Sequence, residues 1–503
     1  MNPLEIGSQS QFAALRSFLR EAGYTEARIS EKLGLPAEGL DIVTLADNKV
    51  PCPAKPGPLD LLSRLFLLGE FVSIADAENQ FHGPAWAAMN ALGLIEEDST
   101  NRTRCFASVA LYPMDDFFIV SDRWSNPDRS PKQSFSDIVY PALTRSTREF
   151  LHFLPHAPCE VFLELCAGSG IAALIASRQA RKAIAADITE RSTHFANFNA
   201  ALNGIENVTA VQGDLYQPVQ GQVFDRIAAH PPYMPVLQPA EIYYDGGEDG
   251  EQLTRRILQG LYQYLAPGGR LYCRTLGTDR EGSTFDQRLR QWLGAAEAEF
   301  DIALFISKNL EPSRFAMDSA VRRSTGQAEV NQWKALFGKL GVKEIVTGTV
   351  VVQRRTTQRP VFTIRRSLSS EADSAAIESV LRWETACVAP GLREAIFAAK
   401  PITSPRVQLL VRHALRDGDF VPQDFSLSCD YPFLMDCKVQ PWMAQLLAFC
   451  DGSRSIHDLY AECKASGWIV PETPPREFLG LIGSFVSGGF LRVEEITTPA
   501  AAG

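Results

Sequence analysis

Two short stretches of this chain gather the residue types that do chemistry. In Val161 to Gly170, VFLELCAGSG, the apolar Val161-Phe162-Leu163 and Leu165 read as a buried parallel strand. Gly168-Ser169-Gly170 then lets the backbone turn sharply and approach a ligand before a helix over Ile171 to Arg181. The second stretch is Ala229-His230-Pro231-Pro232-Tyr233. A neutral imidazole offers one hydrogen-bond acceptor and one donor, two prolines stiffen the loop, and a tyrosine can stack on a flat group. Between them the run Ala183 to Ala186 ends in Asp187, where a carboxylate at a strand tip can accept hydrogen bonds from both hydroxyls of a ribose. A further strand, Val208 to Val211, leads to Gly213-Asp214-Leu215, and Phe224 to Ala229 runs directly into His230. All these loops leave the carboxyl ends of parallel strands, so they line one crevice: a nucleotide-type cofactor site facing a reactive pocket.

Each of these features has a plainer reading. Gly168-x-Gly170-x-x-Ala173 with Asp187 also satisfies the dinucleotide fingerprint, so an NAD(P)-dependent oxidoreductase is an alternative on those residues alone. Pro231-Pro232 is also a rigid turn, Asp214 a helix cap, Cys166 a small hydrophobe and His230 a structural hydrogen-bonding residue.

Taken together, Glu164-x-x-x-Gly168-x-Gly170, Asp187, Asp214 and the x-Pro-Pro-Tyr tetrapeptide resemble class I S-adenosylmethionine-dependent methyltransferases. Within them the likeness is to the HemK-type group, which methylates glutamine side chains of release factors. Asp245-Gly246-Gly247-Glu248-Asp249-Gly250-Glu251 is similar to that group's Gly-Gly-x-Asp-Gly turn, and the resemblance runs from about Tyr140 to Val352. It implies an α/β, Rossmann-like sheet and S-adenosyl-L-methionine as cofactor, held by Glu164, Cys166, Ala167, Gly168, Gly170, Asp187, Ile188, Asp214 and Leu215. It also implies a catalytic loop of His230, Pro231, Pro232 and Tyr233. Sulfonium methyl transfer is an in-line displacement, so positioning the acceptor supplies most of the catalysis.

One position departs from the family. Its tetrapeptide opens with Asn or Asp, whose side-chain oxygen accepts a hydrogen bond from the target nitrogen together with a backbone carbonyl between the prolines. Here that residue is His230, which could orient a different nucleophile or act as a general base. The acceptor stays open among a protein side chain, a nucleobase amine or other RNA group, and a small molecule. A non-catalytic cofactor-binding protein, with His230 as the mark of lost chemistry, is a further alternative.

The elements that must position these residues can be read on either side. Tyr140 to Leu154 predicts a helix lidding the cofactor, with Thr144 and Thr147 near its methionine end or acting as caps. Downstream come a helix over Ile257 to Leu265, a turn at Pro267-Gly268-Gly269 and strands over Arg270 to Thr275 and Asp301 to Ser307. Helices at Arg288 to Leu293 and Trp333 to Leu340 precede a final antiparallel strand, Ile345 to Arg354. Three domains are expected. The first, 1–135, is a recognition domain with helices at Ser10 to Ala22, Ala27 to Leu33, Leu59 to Gly69 and Phe81 to Leu94, and a Pro-rich linker at Lys49 to Pro58. Its strands, Cys105 to Tyr112 and Phe117 to Val120, flank a turn at Pro113 to Asp116, which suggests a winged-helix-like module. The catalytic domain is expected at 136–366. A mainly helical, winged-helix-like domain follows at 367–503, with helices at Trp442 to Phe449, Ile456 to Lys464 and Glu477 to Val486, a strand at Gly489 to Val493 and a frayed tail at Thr497 to Gly503.

Composition bounds the partners. With 503 residues, 45% of them hydrophobic, the chain can bury several cores, and its net charge of −10 argues against a general nucleic-acid coat. Val321 to Arg366 is a local exception, with ten Lys or Arg against Glu329 and Glu344, and is read as a solvated face. The ten cysteines form no C-x-x-C pair, as expected of reduced thiols in a cytoplasmic protein. The start MNPLEIGSQSQF has no signal-peptide pattern, and no apolar run is long enough for a membrane span. Seven dispersed histidines predict no metal site.

Overall fold

A sheet of eight strands forms the frame of the molecule. The structure is a computed structural model that describes residues 3–36, 40–47, 55–128, 136–389 and 393–493; most of the expected Pro-rich linker and the whole Thr497 to Gly503 tail lie outside these. In chain order the strands are β1 (Cys159–Leu165), β2 (Ala180–Asp187), β3 (Val208–Gln212), β4 (Phe224–Ala229), β5 (Leu265–Arg280), β6 (Phe300–Leu310), β7 (Val342–Arg354) and β8 (Thr363–Ser367). Their order across the sheet is β8-β6-β7-β5-β4-β1-β2-β3. Strands β1 to β5 are mutually parallel, while β7 runs antiparallel between β5 and β6. The order reverses between β1 and β4, and it is there that the glycine loop and the His-Pro-Pro-Tyr loop leave the sheet side by side, as expected of a topological switch point.

The helices that matter for the crevice are α1 (Arg145–His152), α2 (Ile171–Ala176), α3 (Glu190–Asn203), α4 (Gln252–Tyr264), α5 (Pro312–Arg323) and α6 (Gln327–Leu340). The expected lid helix, Tyr140 to Leu154, is shorter at both ends. Thr144 takes an extended conformation and caps α1 by accepting the Thr147 amide at 3.2 Å, so the chain before it is not helical. The helix expected to Arg181 stops at Ala176, because β2 already begins at Ala180. Helix α5 and strand β8 were not foreseen. The α5–α6 pair leaves the carboxyl end of β6 and packs Phe315, Trp333 and Phe337 against Tyr233, Met234 and Leu237, so it backs the loop that follows β4.

Residues 58–107 follow a winged-helix connectivity of helix, strand, helix, helix, strand, strand. The strands Val72–Ser73, Ile95–Glu97 and Arg104–Ala107 form an antiparallel sheet with the last in the middle. The expected Cys105 to Tyr112 strand is in fact two. Arg104–Ala107 belongs to this wing, whereas Ala110–Met114 pairs with Phe117–Ser121 in a hairpin of its own. Asp115 and Asp116, both at positive φ (49° and 65°), make the two-residue turn that right-twisted hairpins favour.

That hairpin is clamped to the catalytic unit. Asn199 and Asn203, one turn apart on α3, each exchange a pair of hydrogen bonds with the backbone of Val120 and Phe118, completing a strand edge with side-chain amides. The buried pair Arg191–Asp122 ties the same surfaces. One apolar core accordingly runs from Leu4 and Phe12 through the hairpin to Ala173 and Phe198.

Toward the C-terminus a three-stranded antiparallel sheet, Val407–Arg416, Asp419–Cys429 and Met435–Lys438, had no counterpart in the sequence reading. Its first two strands are largely exposed, so they lack the apolar alternation that marks a half-buried strand. Helices Pro441–Phe449, Ile456–Ala465 and Pro475–Ser487 follow as expected, over a separate core, and Leu491–Val493 pairs with Pro401–Thr403.

Candidate active site

The glycine loop is shaped by backbone requirements. The Ala167 amide donates to Ala186 and the Gly170 amide to Ala167, folding the loop across the tips of β1 and β2. Gly170 sits at φ 77°, and a Cβ there would lie 2.9 Å from the Cβ of Ala196 on α3, so glycine is required for both conformation and helix packing. Gly168 (φ 52°) instead has open space where a Cβ would stand. That bare surface at the start of a helix suits close approach by a ligand, and it fits a nucleoside cofactor of the expected kind.

The acidic residues divide by role. Asp187 Oδ2 accepts the Gly168 amide at 2.9 Å and Oδ1 the Thr189 amide at 3.0 Å, which fixes the carboxylate at the cavity edge. Glu164, expected among the cofactor contacts, lines the cavity, and its two oxygens accept the Ala172 and Ala173 amides at 3.2 and 2.8 Å. Burial pushes its carboxyl up to about 8, against the lowering effect of those amides. Asp214 does not cap the following short helix; its Oδ2 pairs with Arg256 at 2.6 Å. Cys166 has its thiol raised well above the ordinary value by burial, which leaves it an unreactive wall. Ile188 is exposed at the opening, while Ala167 is buried and Leu215 packs at the edge of the sheet's apolar core.

The His-Pro-Pro-Tyr loop is held from below by the acidic glycine turn. The Gly246 amide donates to Met234 and the Met234 amide to Tyr244. Cβ atoms at Gly246 and Gly250 would fall 2.7 and 2.5 Å from the Tyr233 backbone, so those glycines let the two loops touch. Glu251, fully buried, receives Thr278 and Arg288, and Asp249 takes Arg255 and Arg280, anchoring the turn to β5.

On that support the His230 ring lies parallel to Tyr233, centroids 5.6 Å apart, with Phe150 of α1 at 5.2 Å. Burial, with a smaller push from Arg274, drives its pKa down to about 3, so the imidazole is neutral at ordinary pH. Ser146 of α1, which the sequence reading passed over, touches both: its Oγ is 3.2 Å from His230 Nε2 and 2.6 Å from the Tyr233 hydroxyl. Thr144 and Thr147 line the same cavity but are engaged in capping. Tyr140 stacks on Tyr243 at 4.6 Å across the roof, a pair that only the fold brings together. A single cavity of about 760 Å³ joins all of this, from Gly168, Asp187, Ile188 and Asp214 to His230, Pro231, Pro232 and Tyr233.

The basic run Val321 to Arg366 is half a solvated face: Arg322, Arg323, Lys334, Lys339 and Lys343 are exposed, while the other five are engaged. Arg354, Arg355 and Arg359 bond the backbone or Asp301, Arg365 pairs with Asp279 and Asp286, and Arg366 reaches Ser487. Among the described residues no His, Cys, Asp and Glu cluster could hold a metal, and no helix is long and apolar enough to cross a membrane.

Comparison with known proteins agrees with this geometry. Residues 141–291 match the family described as methyltransferase small domain. The ribosomal protein uL3 glutamine methyltransferase of Bradyrhizobium diazoefficiens is 32% identical over 167 residues, 30% of this chain and 52% of that protein. The release factor glutamine methyltransferase of Thermodesulfovibrio yellowstonii is 34% identical over 123 residues, 22% of this chain and 44% of that protein. The chain thus spans about half the length of the curated relatives it matches. A solved ribosomal protein L11 methylase from Lactobacillus delbrueckii subsp. bulgaricus is 19% identical over 41% of this chain and 74% of that one, with a TM-score of 0.24, too low to add to the strand order. Strand order, joined cavity and sequence matches together liken the central domain of this chain to the class I methyltransferases of the HemK-like group.

Proposed function

We propose that the protein is an S-adenosylmethionine-dependent methyltransferase that methylates a nitrogen of a protein side chain, with a glutamine amide as the acceptor suggested by the named relatives. The observation that carries this reading is the single cavity in which the glycine loop and Asp187 stand at one end and His230 and Tyr233 at the other. The bound sulfonium supplies an electrophilic methyl group. Gly168, Gly170 and Asp187 would hold the nucleoside end, Ile188 and Leu215 would give its base an apolar seat, and Asp214 would close that side.

What the chain itself contributes is placement. Neutral His230 can accept a hydrogen bond from the acceptor group, Pro231 and Pro232 keep the loop stiff, and Tyr233 gives a flat wall beside it. Phe150 of α1 and the stacked Tyr140–Tyr243 pair give the transfer site aromatic walls. The winged-helix segment and the C-terminal helices would then present the acceptor protein.

The test has two stages. Calorimetric titration with S-adenosylmethionine, repeated with excess NADH, should give saturable binding that NADH does not displace; displacement would return the dinucleotide reading. Incubation of the protein with methyl-labelled S-adenosylmethionine and release factors or ribosomal proteins should place label on an amide nitrogen by mass spectrometry. Cofactor binding without label on any protein would remove the protein-acceptor reading.

A further inference from the structure

Ser146 occupies a position in the acceptor wall that the sequence motifs do not mark, and its two contacts are unequal. The 2.6 Å approach to the Tyr233 hydroxyl is a short O–H···O bond, whereas 3.2 Å to His230 Nε2 is long for a hydroxyl donor and ordinary for an N–H donor. Either hydroxyl can donate in the short bond; where Ser146 gives its one proton to the Tyr233 oxygen, a serine lone pair is left facing the imidazole, and the longer contact fits that arrangement. In that arrangement Nε2–H donates to Ser146. The other ring nitrogen, Nδ1, has no partner among the described residues and is not one of the sealed, unpaired polar atoms, so it opens onto the cavity that His230 lines.

We propose that Ser146 is a positioning residue that holds His230 as the neutral tautomer protonated on Nε2, so that Nδ1 presents one lone pair to the cavity and selects an acceptor nitrogen that carries a hydrogen. The assignment of the acceptor rests on the methyl-transfer reading; the tautomer does not. Its chemistry separates nitrogen from hydroxyl acceptors. An imidazole whose basicity is lowered by burial is too weak to strip a hydroxyl before attack. A nitrogen is different, because its own lone pair bonds the methyl carbon while the carbon–sulfur bond breaks and that electron pair stays on sulfur. The methylated nitrogen is then positively charged and acidic, and its proton passes to Nδ1 while Nε2–H remains on Ser146. The charge that acts on the ring is Arg274 on β5, which pairs with Glu149 on α1 at 2.6 Å.

The experiment is nitrogen-15 NMR of the full chain labelled at histidine, with His230 assigned by the signals missing in His230→Asn. The wild type should show a pyridine-like Nδ1 and a pyrrole-like Nε2. Ser146→Ala should collapse these toward tautomer-averaged shifts, and Ser146→Thr should restore them, with circular dichroism confirming that both variants fold. A pyrrole-like Nδ1 in the wild type, or a Ser146→Ala spectrum unchanged from it, overturns the tautomer assignment. Titration with S-adenosylmethionine separates the two readings. Affinity in Ser146→Ala should stay within about twofold of wild type, and a tenfold loss would make Ser146 a cofactor contact and overturn its role. No binding by the wild type would overturn the acceptor assignment together with methyl transfer, leaving the tautomer to the NMR result.

Discussion

The two ends of the cavity are built on different principles. At the cofactor end the shape comes from backbone: Gly168 and Gly170 at positive φ, amides folded back on Asp187 and Ala186, and side chains small enough to leave a ligand room. At the acceptor end it comes from side chains delivered by separate segments. Ser146 and Phe150 arrive from α1, Tyr140 from the chain before it, His230 and Tyr233 from the loop after β4, and Tyr243 from the acidic turn's approach. A backbone site is general for one cofactor, and a side-chain site can be retuned for an acceptor without disturbing it. The His230 departure from Asn or Asp is a change of that second kind.

That contrast can be broken most severely at the glycine loop. Gly170→Val forces a β-branched residue into a left-handed conformation, at roughly 1–2 kcal/mol for the backbone alone, and drives its Cβ into Ala196. It should abolish S-adenosylmethionine binding in calorimetry; near wild-type affinity would mean that the loop does not need its shape. His230→Ala should lower turnover on the order of 100-fold while leaving cofactor affinity nearly unchanged. An unchanged rate would remove its acceptor role. Asp187→Ala should act oppositely, weakening cofactor binding on the order of tenfold or more with little loss of turnover at saturation. An equal fall in saturated turnover would show that the two ends are not separable.

The smallest effects concern pH, and they differ in sign between the ends. Glu164 has a folded pKa of about 8, above its ordinary 4.5, so the folded state holds a proton that the unfolded chain releases. Its contribution is present below 4.5 and is lost as pH rises toward 8. His230 is depressed to about 3, so between 3 and 6.5 the unfolded chain binds the extra proton and stability rises with pH. Denaturation midpoints across pH should therefore lose part of the fall between about 4.5 and 8 in Glu164→Gln and part of the rise between about 3 and 6.5 in His230→Asn. Parallel pH profiles in wild type and variants would contradict these environments.

Much of the sheet was legible because its strands are short apolar runs ending in punctuating residues. Val161 to Leu165, Ala183 to Asp187 and Phe224 to Ala229 each fall within the strand expected of them, and Ile345 to Arg354 is the antiparallel strand that closes the methyltransferase pattern. The wing was misplaced because Cys105 to Tyr112 is apolar but for Ser108, and one serine is too weak a signal that the chain changes sheets at Ser108-Val109. Glu164 was marked by its motif, and it does line the cavity; that its oxygens also hold the start of α2 is a tertiary detail the motif does not carry.

The sequence by itself determined the local chemistry: a glycine loop after a buried strand, a carboxylate at the next strand tip and a stiff Pro-Pro-Tyr loop, since turn geometry and strand periodicity are properties of neighbours in the chain. The tertiary structure alone decided what surrounds His230. Ser146 lies 84 residues from it, and Phe150 and Arg274 come from other elements again. Desolvation and hydrogen-bond partnership depend on which distant segments pack together. That is why the protonation state and orientation of the central imidazole could not be read along the chain, although the imidazole itself could.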